Sequence, residues 1–474
     1  MQEHAEFAGN DSRDPRSLIA SDTMGGAQIL VLALTVALNA LDGFDVLSIS
    51  FASPGIAQAW DVDRAALGVV LAMELIGMAV GSIFIGNASD RFGRRPVVLA
   101  CLVLMTVSMF LASGATSIVD LAIWRVVTGL GIGGMLATTN AVVAEFASDR
   151  RRSLAIAIMG AGYPAGAVIG GTMSSALLTV YDWRSVFILG GSLSAVLTVV
   201  TLFCLPETIA WLVHRRPTDA LDKINRILIA SSHAAITVMP PAQAHVVKPS
   251  IGALFRGTLG VGTLTFAVIY FGQMISFYFI LKWSPKIVAD MGFAASMAGV
   301  VLVWANVGGL IGSVLVGLLS QRFDARRVTG FAMLLAMLSV AAFGRSPHEL
   351  SSLAALAFLA CLFGNGAMVG LYALLATAYP TALRATATGL IIGVGRGGAA
   401  LSPIFAGLLF QHGLTLSTIA AVMAIGTGIG GLLLLTLAWR MVPVRASNAG
   451  ALNVSMTSDQ PRNTNRKMHQ CRKT

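Results

Sequence analysis

Residues 86–97 read GNASDRFGRRPV and residues 317–328 read GLLSQRFDARRV. Each stretch opens on a glycine four residues before a polar position, Asp90 or Gln321, and runs on through Arg-Phe to a pair of arginines. A second echo sets RRSLAIAIMGAGYPAG beside LRATATGLIIGVGRGG, with Gly160 on Gly393 and Gly162 on Gly395. The offsets of the two echoes are 231 and 233 residues, and their near agreement points to an internal duplication. In the second alignment Arg396 stands opposite Tyr163.

The sequence around these loops is that of a polytopic membrane protein. Of 474 residues, 56% are hydrophobic and 11% charged, with mean hydropathy +0.78, against roughly 25% charged in soluble domains. Apolar runs near the roughly 20 residues of a spanning helix recur twelve times. They lie at 27–50, 66–88, 96–114, 118–143, 154–177, 184–205, 259–282, 296–320, 328–344, 351–374, 386–410 and 415–441. The predicted fold is all-α, with two pseudo-symmetric six-helix halves at 27–205 and 259–441. A polar tail at 1–26, a central loop at 206–258 with a short surface helix, and a tail at 442–474 complete the chain. Parallel repeats of this kind imply a binding site near the midplane, where the halves meet. No short apolar core with a small-residue cleavage site opens the sequence, so no removable signal peptide is expected.

The net charge of +10 speaks to topology and not to nucleic acid. With the N-terminus inside, inner segments hold 25 of the 32 Lys and Arg, and outer segments hold five: Arg64, Arg184, Lys282, Lys286 and Arg345. By the positive-inside rule both termini are expected in the cytoplasm. The remaining two, Arg125 and Arg396, fall inside spans, as do Asp42, Asp45 and Glu74. Each such group costs roughly 2.5–3.5 kcal/mol at a helix centre, so none is expected to face lipid. All seven histidines lie outside the spans, the four cysteines stand singly, and no G-x-x-x-x-G-K-[ST] phosphate loop is present. No metal or cofactor is expected, nothing marks an enzyme, and uphill transport would draw on an ion gradient.

The 86–97 loop and the later stretch RVVTGLGIGG, Arg125 to Gly134, are similar to the signatures of the major facilitator superfamily over nearly all of residues 27–441. Within it, LDGFD in span one resembles the aromatic acid:proton symporter family, where D-G-[FY]-D is typical and its acids are implicated in transport. KWSPKI and GVGRGGAALSP also resemble that family. LPETIAWL after span six is similar to the Pro-Glu-Ser-x-Arg-x-Leu segment of sugar and organic-acid porters, with Ala210 where Arg is common. GYPAGAVIGG in span five departs from the drug-exporter pattern at Ala167, where Pro belongs, and Gln321 replaces an acid often seen in the second inner loop.

Counting from the span ends puts Asp42, Glu74 and Arg125 at a common depth of roughly 10–12 Å below the outer face. Asn39, Asp42 and Asp45 recur every three residues, on one helix face. Asp42 and Asp45 are the expected proton carriers, with Arg125 and Glu74 in the same cluster. Arg396, set between Gly395 and the pair Gly397 and Gly398, is expected to bind a substrate carboxylate, since a guanidinium donates two parallel hydrogen bonds to one. Asn39, Tyr278, Trp304, Asn306, Asn365 and Tyr372 are the other candidate substrate contacts, with Phe271 and Phe277 as further apolar walls. Trp283 is expected to be an interfacial anchor. Asp90, Arg91, Gly93, Arg94, Arg95 and Glu145 form the expected inner gate, in one network with the arginines at 150–152.

The reading is a multi-pass carrier of the cell (inner or plasma) membrane. It takes up small aromatic or related carboxylic acids with protons, works as a monomer in the lipid bilayer, and has no nucleic-acid partner. The alternatives are a sugar or dicarboxylate porter, a drug exporter or, from another class, a membrane receptor or structural protein.

Overall fold

The computed structural model describes residues 14–21, 24–240 and 251–436, and of Thr258, Thr381 and Ala382 it gives the backbone alone. Much of the expected N-terminal tail, the Pro-containing stretch of the central loop at 241–250, the end of span twelve at 437–441 and the tail at 442–474 lie outside the described residues. Among the described residues there are fifteen α-helices, a short 3-10 turn at Ile251–Phe255, and no strand.

The first half holds α1 (Pro15–Ser21), α2 (Gly26–Trp60), α3 (Arg64–Phe92), α4 (Arg94–Ser113), α5 (Ile118–Phe146), α6 (Arg152–Leu177) and α7 (Arg184–Cys204). The connection carries α8 (Ile209–Arg215) and α9 (Ala220–Ala230). The second half holds α10 (Gly257–Asp290), α11 (Ala295–Arg322), α12 (Ala325–Phe343), α13 (Leu350–Ala378), α14 (Thr381–Gln411) and α15 (Leu416–Thr436). Twelve of these, α2 to α7 and α10 to α15, are long and apolar enough to cross a membrane, as expected.

The duplication reappears in the packing. In the first half α2 lies on α6, α3 on α5 and α4 on α7; in the second, α10 lies on α14, α11 on α13 and α12 on α15. Between the halves α3 meets α14 and α6 meets α11, a pair of contacts that exchange under the same correspondence. An even number of crossings puts the start of α2 and the end of α15 on one face, the terminal face, and the 60–64 and 290–295 turns on the opposite, far face.

Two helices outrun their expected ends by two turns or more. Span one continues past residue 50 to Trp60, through Pro54. Proline has no N–H for the carbonyl four residues back, and the Ser53 hydroxyl donates to that freed Ser50 carbonyl at 2.8 Å. Such side-chain substitution is how membrane helices tolerate proline. Span seven likewise continues past residue 282 to Asp290, through Pro285. Lys282 is therefore inside a helix and fully buried, and its expected place in an outer loop is corrected. Trp283, expected at the interface, is also buried, and its indole N–H donates to the Pro403 carbonyl at 3.1 Å.

Far-face contacts join the halves. Gly68 of α3 lies against Pro403 and Gly407 of α14, and Phe51 of α2 and Ser175 of α6 lie against Gly299 of α11. Arg64 at the start of α3 pairs with Asp290 at the end of α10 at 3.2 Å, and its guanidinium lies over the Phe410 ring.

Candidate functional site

Gly43, between the two acids of LDGFD, fixes where α2 sits. A Cβ at this position would overlap the carbonyl oxygen of Tyr163 in α6, so only glycine allows the two backbones to meet there. On either side of it, Asp42 and Asp45 are buried at 1% and 0% exposure, and all four carboxyl oxygens lack a hydrogen-bond partner. Steps of three residues fall short of a 3.6-residue turn by about 60° each, so the expected single face fans out. Asn39 turns to α6, where its amide donates to the Met159 carbonyl at 2.6 Å. Asp45 turns to α5 and α7, with its carbonyl accepting from Arg125 at 2.9 Å and its carboxyl beside Gly190. Asp42, between them, lies within electrostatic reach of Asp45, Glu74 and Arg396.

Glu74 and Arg125, expected at a common depth, form a direct ion pair, both at 0% exposure. Arg125 also reaches the Met109 sulfur at 3.1 Å and lies over the Phe187 ring. Lys282, from the second half, completes the group: its ammonium is 3.5 Å from the other Glu74 oxygen and donates to the Val46 carbonyl. Sequence reasoning missed it because a lysine followed by Pro285 and Lys286 reads as the end of a span. The available signal was the unbroken apolar run before it, FYFIL.

Arg396 of α14 is half-buried and donates to the Met78 carbonyl of α3 at 3.1 Å. Among the described ion pairs, Arg125 and Lys282 share Glu74 while Arg396 has no carboxylate partner. Its charge reaches Tyr270, Tyr278 and Tyr372. The hydroxyls of Tyr270 and Tyr372 are bonded at 2.8 Å, and the Tyr163 hydroxyl faces that of Tyr278 without a well-formed hydrogen bond. Four of the chain's six tyrosines thus gather where the halves meet. Tyr278 and Tyr372 were candidates from the sequence; Tyr163 and Tyr270 were not, because the alignment of these rings across three helices is a property of packing alone.

Three other candidates are engaged elsewhere. Trp304 is 50% exposed, stacks edge-on against Phe358, and shares an outward stripe with Met297, Ile311 and Leu318. Asn306 turns back to the Leu302 carbonyl of its own helix at 2.8 Å. Asn365 ties α13 to α11 through the Gly309 carbonyl and the Ser313 hydroxyl at 3.0 and 2.8 Å. Those are the contacts that Trp304, Asn306 and Asn365, expected to meet substrate, make in this structure.

At the terminal face, Arg94 pairs with Asp90 at 2.9 Å and with Glu145 at 3.1 Å. Gly93 turns the chain between α3 and α4 at φ 108°, a conformation open to glycine. The first amides of α4 then meet an anion from far along the chain: the Glu207 carboxylate accepts from Arg94 N at 2.9 Å and Arg95 N at 3.3 Å. Burial pushes the Glu207 carboxyl above its usual range, opposed by the amides of Thr208, Arg94 and Arg95. Arg95 reaches the Leu202 carbonyl at 2.7 Å, and Arg91 lies over the neighbouring Phe92 ring. Arg152, expected in the same network, pairs with Asp149 at 2.8 Å.

The Major Facilitator Superfamily model matches residues 34–282 and 263–458. The chain belongs to the Major Facilitator Superfamily, and with twelve spanning helices it is a multi-pass membrane protein. It is 31% identical over 393 residues to a 4-hydroxybenzoate transporter of Pseudomonas aeruginosa, covering 82% of this chain and 87% of the relative. It is 30% identical over 408 residues to a gallate transporter of Pseudomonas putida, covering 85% and 90%. These relatives bear out the resemblance to the aromatic acid:proton symporters. An inward-open structure of the xylose transporter of E. coli superposes with a TM-score of 0.68 at 17% identity, over 88% of this chain and 96% of that one; the likeness is one of fold.

Proposed function

We propose that this protein takes up small aromatic carboxylic acids by proton symport, with Arg396 receiving the substrate carboxylate and Asp42 and Asp45 carrying the coupling proton. The observation that carries the reading is the contrast among the buried cations. Arg125 and Lys282 both pair with Glu74, whereas Arg396, at the junction of the halves, has no carboxylate partner among the described residues. A substrate carboxylate supplies the missing charge, and Tyr278, Tyr270 and Tyr372 offer aromatic faces beside it. The names of the relatives, carriers of hydroxylated benzoates, support an aromatic acid as the cargo.

Asp42 and Asp45 suit the proton because their carboxyl oxygens are buried without donors, and an unpaired carboxylate in an apolar site is relieved by a proton. Energetics favour coupling as well. Entry of a monoanion opposes an inside-negative potential by roughly 2.3 kcal/mol per 100 mV, and one proton cancels that opposition. Access alternates in this reading: the far face, closed by the contacts of α3 with α14 and α6 with α11, is the outer side. The arginine-rich terminal face is the cytoplasmic side of the cell membrane. The group Asp90, Arg94 and Glu145, paired within the first half while the outer side is shut, would fasten the cytoplasmic side by engaging the second half when the outer side opens.

Uptake of labelled hydroxybenzoates, methoxylated benzoates, phenylpropanoids, muconate and a neutral sugar into expressing cells, with and without a protonophore, tests this. Aromatic acid uptake abolished by the protonophore is the expected result. Sugar uptake, or accumulation that rises when the gradient collapses, would remove Arg396 from its role.

A further inference from the structure

Lys282 is the one member of the buried charge cluster around Glu74 that comes from the second half, and no transport step described above uses it. Its ammonium lies between the Glu74 carboxylate of α3 and the Val46 carbonyl of α2, all three groups shut off from solvent. Glu74 is held from the opposite side by Arg125 of α5. The carboxylate is therefore shared between a cation of its own half and a cation of the other. We propose that the Lys282–Glu74 pair is the latch that holds the outer side of the carrier shut, making Lys282 a positioning residue for alternating access.

Two ionic contacts join α3 and α10, and their settings differ. Arg64–Asp290, at 3.2 Å, is exposed, with side-chain exposures of 46% and 31%, and exposed pairs contribute little. Lys282–Glu74 is buried on both sides, and drawing the pair apart leaves the ammonium without its carboxylate, which is unfavourable until water reaches it, while Glu74 keeps Arg125. Parting the halves at the far face draws α10 away from α2 and α3, so the ammonium must leave both oxygens at once. Water entering the opened cleft rehydrates the separated charges, which makes the latch a bias between two states and not a permanent clamp. Arginine keeps the charge and the donors, so Lys282→Arg should preserve the latch, whereas methionine, similar in length and apolar, removes it.

The test reads the outer side directly. Ser175 is buried against Gly299 across the closed junction, and its hydroxyl has no hydrogen-bond partner, so Ser175→Cys is a mild probe. Placed in a chain whose four cysteines are replaced, it is labelled in intact cells with a membrane-impermeant maleimide, normalised to protein in the membrane. Lys282→Met should raise the labelling rate by about tenfold or more, as expected for a shifted two-state equilibrium. Lys282→Arg and the control Arg64→Gln should stay within about twofold of the parent. Labelling of Lys282→Met at the parental rate would overturn the latch. Should that variant fail to reach the membrane, Glu74→Gln removes the other pole and is read in the same way. The inference rests on the alternating-access reading but not on the identity of the acid. A parent probe that labels and responds to substrate upholds alternation whatever Lys282→Met does, whereas a probe that never labels in any variant tells against alternation itself.

Discussion

The loops at 86–97 and 317–328 occupy equivalent places in the two halves, yet they are fastened by different means. In the first, Gly93 takes a left-handed turn, Glu207 comes from beyond α7 to cap α4, and Arg94 bridges Asp90 and Glu145. In the second, Asp324 caps its own helix at Arg326 N, and its ion pairs with Arg326 and Arg327 are long, at 3.8 and 3.9 Å. The same divergence runs through the membrane interior. The first half holds the acids Asp42, Asp45 and Glu74, and the second answers with Lys282, Arg396 and three of the clustered tyrosines. Duplication kept the helix pairings and, Arg125 apart, left the buried acids in the first half and the cations facing them in the second, so any relative motion of the halves changes the electrostatics of the site.

Removing the cation that faces the junction should break this comparison most severely. Arg396→Ala is expected to abolish acid uptake, and Arg396→Lys to lower kcat/KM roughly hundredfold, since an ammonium cannot reproduce the bidentate geometry; initial-rate uptake checks both. Next come the acids of the first half. Asp42→Asn and Asp45→Asn should end concentrative uptake while retaining exchange of internal for external acid, a separation that counterflow assays resolve and that a folding defect would not produce. Asp90→Asn should lower the uptake rate by about threefold, since the Asp90 side chain is 61% exposed and its contact with Arg94 is screened by water. Gln321→Asp, which gives the second loop the acid of the first, should leave the rate within about twofold, because Ala325 stands where Arg94 pairs with Asp90 in the first loop.

The smallest effect concerns pH. Burial raises the Glu207 carboxyl above the roughly 4.3 of a free glutamate, so the folded state binds the proton more tightly than the unfolded one. By linkage that contribution is fully present below the free-glutamate value and is lost as pH rises through the raised one. The thermal midpoint in detergent should carry a small downward slope across that window, and Glu207→Gln should remove it.

How much of this was legible in the sequence follows from the range of the forces involved. The twelve spans and the two halves were, because each is written in a local run of apolar residues and in a repeat. The ion pair of Glu74 with Arg125 was foreseeable from depth along neighbouring helices. Lys282 was not, since its partners Glu74 and Val46 lie in the other half, and the neighbouring proline and lysine imitate a span end. Rotation about each helix axis was equally hidden. Trp304 and Tyr372 are both aromatic residues in apolar helices, yet one joins an outward stripe and the other bonds to Tyr270, a distinction made by neighbours and not by residue type. Gly43 stands between two acids in the sequence, while its physical reason, the approach of Tyr163, is tertiary.

The central claim is that the charges of the two halves move one acid and protons together. Its most direct test is proton movement on adding 4-hydroxybenzoate to proteoliposomes with no imposed gradient, read from external pH against protein-free liposomes. The account predicts alkalinisation of the medium that is lost in Asp42→Asn and in Arg396→Ala. Entry of the labelled acid with no accompanying change in pH would contradict it.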